Sequence, residues 1–206
     1  MSEVINESRR NFLRLAVAAP LGIVAGSALY PATEAVGVEI EEHTGLQTGN
    51  ASTRHELDAA CASAENRLTC AADRMENPAA RKKAVIGGPI IEEMSFRALP
   101  SLVTDLVAPS EGDTYTTPPE TVLWGNGNPK LSRKEMIVGA ATSLLFSYAH
   151  NIDNKGMDLK TVPIQSMLGG GVLWYLQRKL GFASNLSAHV AYNNWWTLGF
   201  RSGRSH

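Results

Sequence analysis

The sequence predicts an all-α fold: a membrane-embedded multi-helix bundle with its functional motifs on three helices. Two observations predict it. Formal charges are absent from four long runs, Leu15 to Thr33, Met136 to Ile152, Thr161 to Gln177 and Gly181 to Phe200, which approach the ~20 residues that carry a helix across a bilayer core. In these runs, and in a fifth apolar stretch from Ala84 to Thr104, lie three short motifs: Glu92-Glu93-x-x-x-Arg97, Phe146-x-x-x-His150 and His189-x-x-x-Asn193. Their i to i+4 spacing sets both ends of each motif on one helix face.

Whole-chain averages conceal this segregation. The 206 residues suit one domain plus an appendage, since a domain holds about 100–200 residues. A mean hydropathy of −0.12 looks too polar for a membrane protein until the charges are located. With 19 basic and 20 acidic residues the net charge is −1, so no global field favours nucleic acid. Cys61 and Cys70 lie in a polar segment. They pair only if that segment folds back in an oxidising compartment, and their spacing is not that of a metal site.

Residues 1–35 read as a signal or anchor helix. Ser8-Arg9-Arg10-Asn11-Phe12-Leu13-Arg14, followed by an Ala-rich apolar run, resembles a twin-arginine export signal. An uncleaved anchor with a cytoplasmic amino end fits the same arginines, and no clean Ala-x-Ala cleavage site follows. Residues 36–80 are polar, a linker with an amphipathic helix expected over Thr53 to Glu76. Arg81-Lys82-Lys83 then forms a basic collar at the start of the 81–201 helical domain.

Within that domain, Ala108 to Pro129 is rich in proline and glycine and reads as a long loop. A helix is expected over Arg133 to Asn151 and another over Val162 to Lys179, where Gly169-Gly170-Gly171 would let neighbouring backbones approach. Only Arg178, Lys179 and Leu180 separate this run from the last helix, so the two should form a tight hairpin. Trp195-Trp196 suits a membrane interface, and residues 202–206 are a basic tail.

Ionisable groups inside apolar helices are costly unless they face a protein cavity, so the motifs point to function. A carboxylate beside an imidazole can hold and deprotonate water for attack on a carbonyl; Glu92 and His150 are the candidates. The oxyanion formed needs fixed donors, and His189 with Asn193 can supply an imidazole N–H and a carboxamide N–H. Glu93 and Arg97 suit a supporting ion pair, and Phe146 is a further supporting residue. Each motif alone is commonplace on helices. Their joint order is not.

Together they resemble the CPBP family of intramembrane endopeptidases, which includes type II CAAX prenyl endopeptidases and immunity-type proteins. The resemblance covers about Ala84 to Phe200 and is strongest at Pro89-Ile90-Ile91-Glu92-Glu93-Met94-Ser95-Phe96-Arg97. It implies a helical bundle in a plasma or inner membrane that hydrolyses a hydrophobic or lipidated peptide substrate. Glu92 and His150 would activate water, and His189 and Asn193 would stabilise the oxyanion. A zinc variant would use Glu92, His150 and His189 as ligands, leaving the fourth position to water. The competing classes are a non-catalytic membrane scaffold or immunity protein, and an exported soluble helical domain whose apolar runs are core.

Overall fold

The computed structural model describes residues 2–48, 77–107, 118–128, 130–153, 156–157 and 161–201. It is all-α, with six helices. Helix α1 is Ser2–Thr44, and β1 is Gln47–Thr48. Helix α2 runs over residues 78–107, α3 is Pro118–Trp124 and α4 is Arg133–Ala149. Three further two-residue strands, β2 (Ile152–Asp153), β3 (Gly156–Met157) and β4 (Thr161–Val162), precede α5 (Ile164–Leu180) and α6 (Phe182–Arg201). Strand β1 pairs in parallel with β4, and β2 pairs antiparallel with β3; these short ladders pin loops and build no sheet.

Helix α1 continues past the expected boundary at residue 35 to Thr44, with Pro20 and Pro31 inside it. It packs along α6. Gly22 and Gly26 sit against the backbone carbonyls of Ser184 and Ala188, where a Cβ on either glycine would collide. Two small pairs at i, i+4 spacing therefore let the two helix axes approach closely, as small-x-x-x-small motifs do in membranes. Further along the same seam Tyr30 packs edge to face on Tyr192 at 5.4 Å, and Thr33 Oγ1 lies 3.4 Å from the Tyr192 hydroxyl.

The loop expected over Ala108 to Pro129 is corrected in part, because α3 occupies Pro118–Trp124. Its Val122 carbonyl accepts from Gln177 Nε2 at 2.7 Å, which docks it on α5. Ser132 caps α4 in a reciprocal box with Glu135, satisfying two otherwise orphaned helix N–H groups. The tight connection between the last two helices is present as the single residue Gly181, with φ +83° and too little room for a Cβ beside Leu123 and Trp124. Both constraints select glycine. The amphipathic helix expected over Thr53 to Glu76 and the two cysteines lie outside the described residues.

Among the described residues, buried polar and charged side chains outnumber buried apolar ones. Leu173, Leu176 and Ala188 form only a small apolar cluster. Large apolar residues face outward instead, including Val24 on α1, Ile91, Met94 and Val103 on α2, Leu145 on α4 and Val172 on α5. One described helix, Arg10–Thr44, is long and apolar enough to cross a membrane, and its position near the amino terminus also suits a signal sequence.

Candidate active site

Helix α2 carries the first motif, and two prolines shape it. Pro89 and Pro100 stand in the helix interior, where each lacks an N–H and crowds the carbonyl four residues earlier. The helix accommodates both by widening into π turns, Lys83–Gly87 and Met94–Ala98, each ending two residues before a proline. In the first, Gly88 N–H bonds to Lys83 O in the i to i+5 pattern. The next donor in that register would be residue 89, which has none. Glu92 and Glu93 end the short α-helical piece Gly88–Glu93 held between the two π turns.

Glu92 faces both candidate histidines. Its Oε1 lies 3.7 Å from His150 Nε2, and its Oε2 lies 3.4 Å from His189 Nε2. His150 caps the C-terminus of α4 instead of lying inside it, one residue past the last helical position. Its Nδ1 is 2.8 Å from the Phe146 carbonyl. A carbonyl only accepts, so Nδ1 carries a hydrogen, and Nε2 is the ring nitrogen turned toward Glu92. Side-chain exposures of 26% for Glu92 and 21% for His150, against 5% for His189 and 0% for Glu93, place the mouth of the site at the first pair.

Glu93 is the buried hub. One oxygen lies 2.5 Å from His189 Nδ1, and the other accepts from Asn185 Nδ2. Asn185 also reaches Gln177 Oε1 at 3.3 Å. His189 is thus held by one carboxylate on Nδ1 and presents Nε2 to a second, so its orientation is fixed by a supporting residue. The expected Glu93–Arg97 pair is present at 3.7 Å with both side chains fully buried, too long for a hydrogen bond. Arg97 instead stacks its guanidinium 3.9 Å from the centre of the Phe146 ring. Phe146 therefore knits the site together: its ring also meets His150 at 4.4 Å, Phe96 at 5.5 Å and His189 at 6.0 Å.

The glycine run on α5 contributes at one position. A Cβ on Gly170 would press on Arg97 Nη2 and Ser143, whereas Gly169 and Gly171 have open space. The expectation that the whole run permits close approach therefore holds at Gly170 alone.

Asn193 is placed differently from the expectation. Its Nδ2 donates to the Ala84 carbonyl at 3.0 Å, the carbonyl that Pro89 leaves without a backbone donor. No other hydrogen bond from Asn193 toward Glu92 or His150 accompanies it. Among the described residues no group of three or more His, Cys, Asp or Glu side chains is arranged as a metal-binding set; Glu92, His150 and His189 converge through the carboxylate of Glu92.

A second polar network, missed by reading motifs, closes the other end of α5. Arg178 grips both oxygens of Asp105 at 2.7 and 2.8 Å, Ser101 Oγ at 2.7 Å and Glu135 Oε1 at 2.8 Å. Lys179 Nζ donates to the Lys130 carbonyl at 2.8 Å and lies 3.4 Å from Glu135. Burial alone would raise the Glu135 carboxyl, but the Ser132 backbone N–H and the hydrogen bond and charge of Arg178 outweigh it and hold the group below its ordinary value. These residues flank the charge-free runs, so the signal available was the clustering of their charges at helix ends.

No protein-family model, curated protein or solved structure matches the chain.

Proposed function

We propose that the protein is a membrane endopeptidase of the CPBP type, in which Glu92 and His150 activate a water for attack on a peptide carbonyl. The observation that carries this reading is the placement of one partly exposed carboxylate between two imidazole Nε2 atoms, at 3.7 and 3.4 Å. A separation of 3.7 Å is long for a direct bond and short enough for one water to bridge. The water gives a proton to Glu92 as its oxygen bonds to the carbonyl carbon. His189 Nε2, which lies 3.4 Å from Glu92 Oε2, is the ring nitrogen placed to donate a hydrogen to the oxyanion. Collapse breaks the C–N bond, and the proton on Glu92 passes to the leaving amine. Glu93 and Asn185 hold His189 in place.

Membrane embedding is supported by the polar interior and the outward-facing apolar side chains. Such an inverted distribution suits hydrocarbon surroundings, where buried ionisable groups mark function. The substrate class that fits is a hydrophobic or lipidated peptide delivered from the bilayer.

One observation favours a second reading, a non-catalytic membrane scaffold: Asn193 serves the backbone of α2 and leaves the oxyanion with His189 as its donor. Full-length protein in liposomes, incubated with farnesylated and unmodified hydrophobic peptides, separates the two. Mass spectrometry should find cleavage by the native chain and a loss of about 10²–10⁴-fold in Glu92→Gln, with the thermal unfolding profile unchanged. Equal products from both chains, or none from a folded native chain, would overturn the protease reading.

A further inference from the structure

Away from Glu92, the first turns of α1 and the end of α5 border an open groove of about 670 Å³, within the range of small-ligand sites. Its lining is mostly apolar, with two arginines among the residues that border it. Arg10 and Arg14, one helical turn apart, line it together with Leu13, Val17 and Ala18 of α1, Trp124 of α3 and Leu180 of α5. Arg14 is the last formal charge before the charge-free run that starts at Leu15, so the two guanidiniums fall where headgroups begin, the level that interfacial Trp also favours.

We propose that this groove binds an anionic phospholipid, its phosphate between Arg10 and Arg14 and an acyl chain along Leu13, Val17, Ala18 and Leu180. Guanidinium forks match phosphate oxygens, and the apolar walls need a partner with a chain. A free phosphate would satisfy only the two arginines and leave the apolar lining uncovered. The groove lies between α1 and the α3–α5 end of the bundle, so an occupied groove also fastens α1 to the remainder. The proposal rests on the membrane placement above and not on peptide hydrolysis.

The test uses the full chain in neutral detergent micelles containing phosphatidylglycerol or phosphatidylcholine with brominated acyl chains, which quench nearby tryptophan. The Trp124 signal is the difference between the native chain and Trp124→Phe. With about a fivefold gain for each basic residue near anionic lipid, phosphatidylglycerol should quench at roughly 25-fold lower mole fraction than phosphatidylcholine. Arg10→Gln/Arg14→Gln should abolish that preference. Raising the salt to 1 M should weaken it in the native chain, a readout that survives if the double variant fails to fold. Equal quenching by both lipids, a preference insensitive to salt and to the double variant, or full competition by glycerol phosphate overturns the proposal. Carbonate washing of membranes separates its failure from that of the membrane reading: a chain that washes off sinks the latter, and a retained chain without lipid preference sinks the groove alone.

Discussion

The Asn193 carboxamide donates to the carbonyl oxygen of Ala84 at 3.0 Å, filling the bond that residue 89 would make were it not proline. A side chain on α6 thereby stabilises the π turn that precedes Glu92. Asn193→Ala should leave a partly buried carbonyl short of a donor and destabilise the protein by about 0.5–1.5 kcal/mol. Pro89→Ala restores a backbone N–H, so the two changes should be non-additive by at least about 0.5 kcal/mol in a thermal-unfolding cycle. Strict additivity would show that Asn193 acts elsewhere.

Glu93 neutralises its surroundings as well as orienting His189. Its removal in Glu93→Ala leaves the fully buried Arg97 guanidinium, stacked on the Phe146 ring, without its nearest carboxylate. Breaking a buried pair in this way costs about 3–5 kcal/mol. Chemical denaturation should report that loss, and Glu93→Ala/Arg97→Met should recover a large part of it. A Glu93→Ala chain as stable as the native one would contradict the hub role.

The crossing of α1 over α6 predicts sharp sensitivity at two glycines. Gly26→Leu forces a side chain against the Ala188 backbone, directly beside His189, and overpacking of this kind costs about 1–3 kcal/mol. The thermal midpoint should fall, while Val24→Leu, on an exposed position of the same helix, should leave it unchanged. Equal behaviour of the two variants would mean that α1 does not pack in this register.

Glu135 predicts an acid limb of stability. A carboxyl held low in the folded state contributes fully above its unfolded-state value, and the contribution disappears as pH falls through its folded value. The native midpoint should therefore drop below the ordinary glutamate range, and the Glu135→Gln curve should start lower at neutral pH and flatten over the same interval. Parallel curves for the two proteins would refute the linkage. At constant pH, loss of Glu135 should also loosen the Arg178 side chain, which has Asp105 and Ser101 as its other partners.

The helices and the meeting of Glu92, His150 and His189 were legible because charge-free runs and i to i+4 pairs are local patterns. The π turns had a local signal too: Pro89 and Pro100 inside an apolar run require a departure from regular α geometry. Asn185 and Gln177 carried no such mark, since one carboxamide in an apolar helix looks like any other until its neighbour is known. The Arg178 network joins residues 43 and 73 positions apart, a distance that no periodicity reaches. The Asn193 bond to Ala84 was not legible for a related reason, because it answers a backbone defect on a different helix.

Gln177 connects α3 to the buried hub around Glu93. Its Oε1 accepts from Asn185, which holds Glu93, and its Nε2 donates to the Val122 carbonyl of α3. A rigid planar amide thus spans from the surface helix to the residue that orients His189. Seating of α3 and alignment of the imidazole therefore both depend on this one carboxamide.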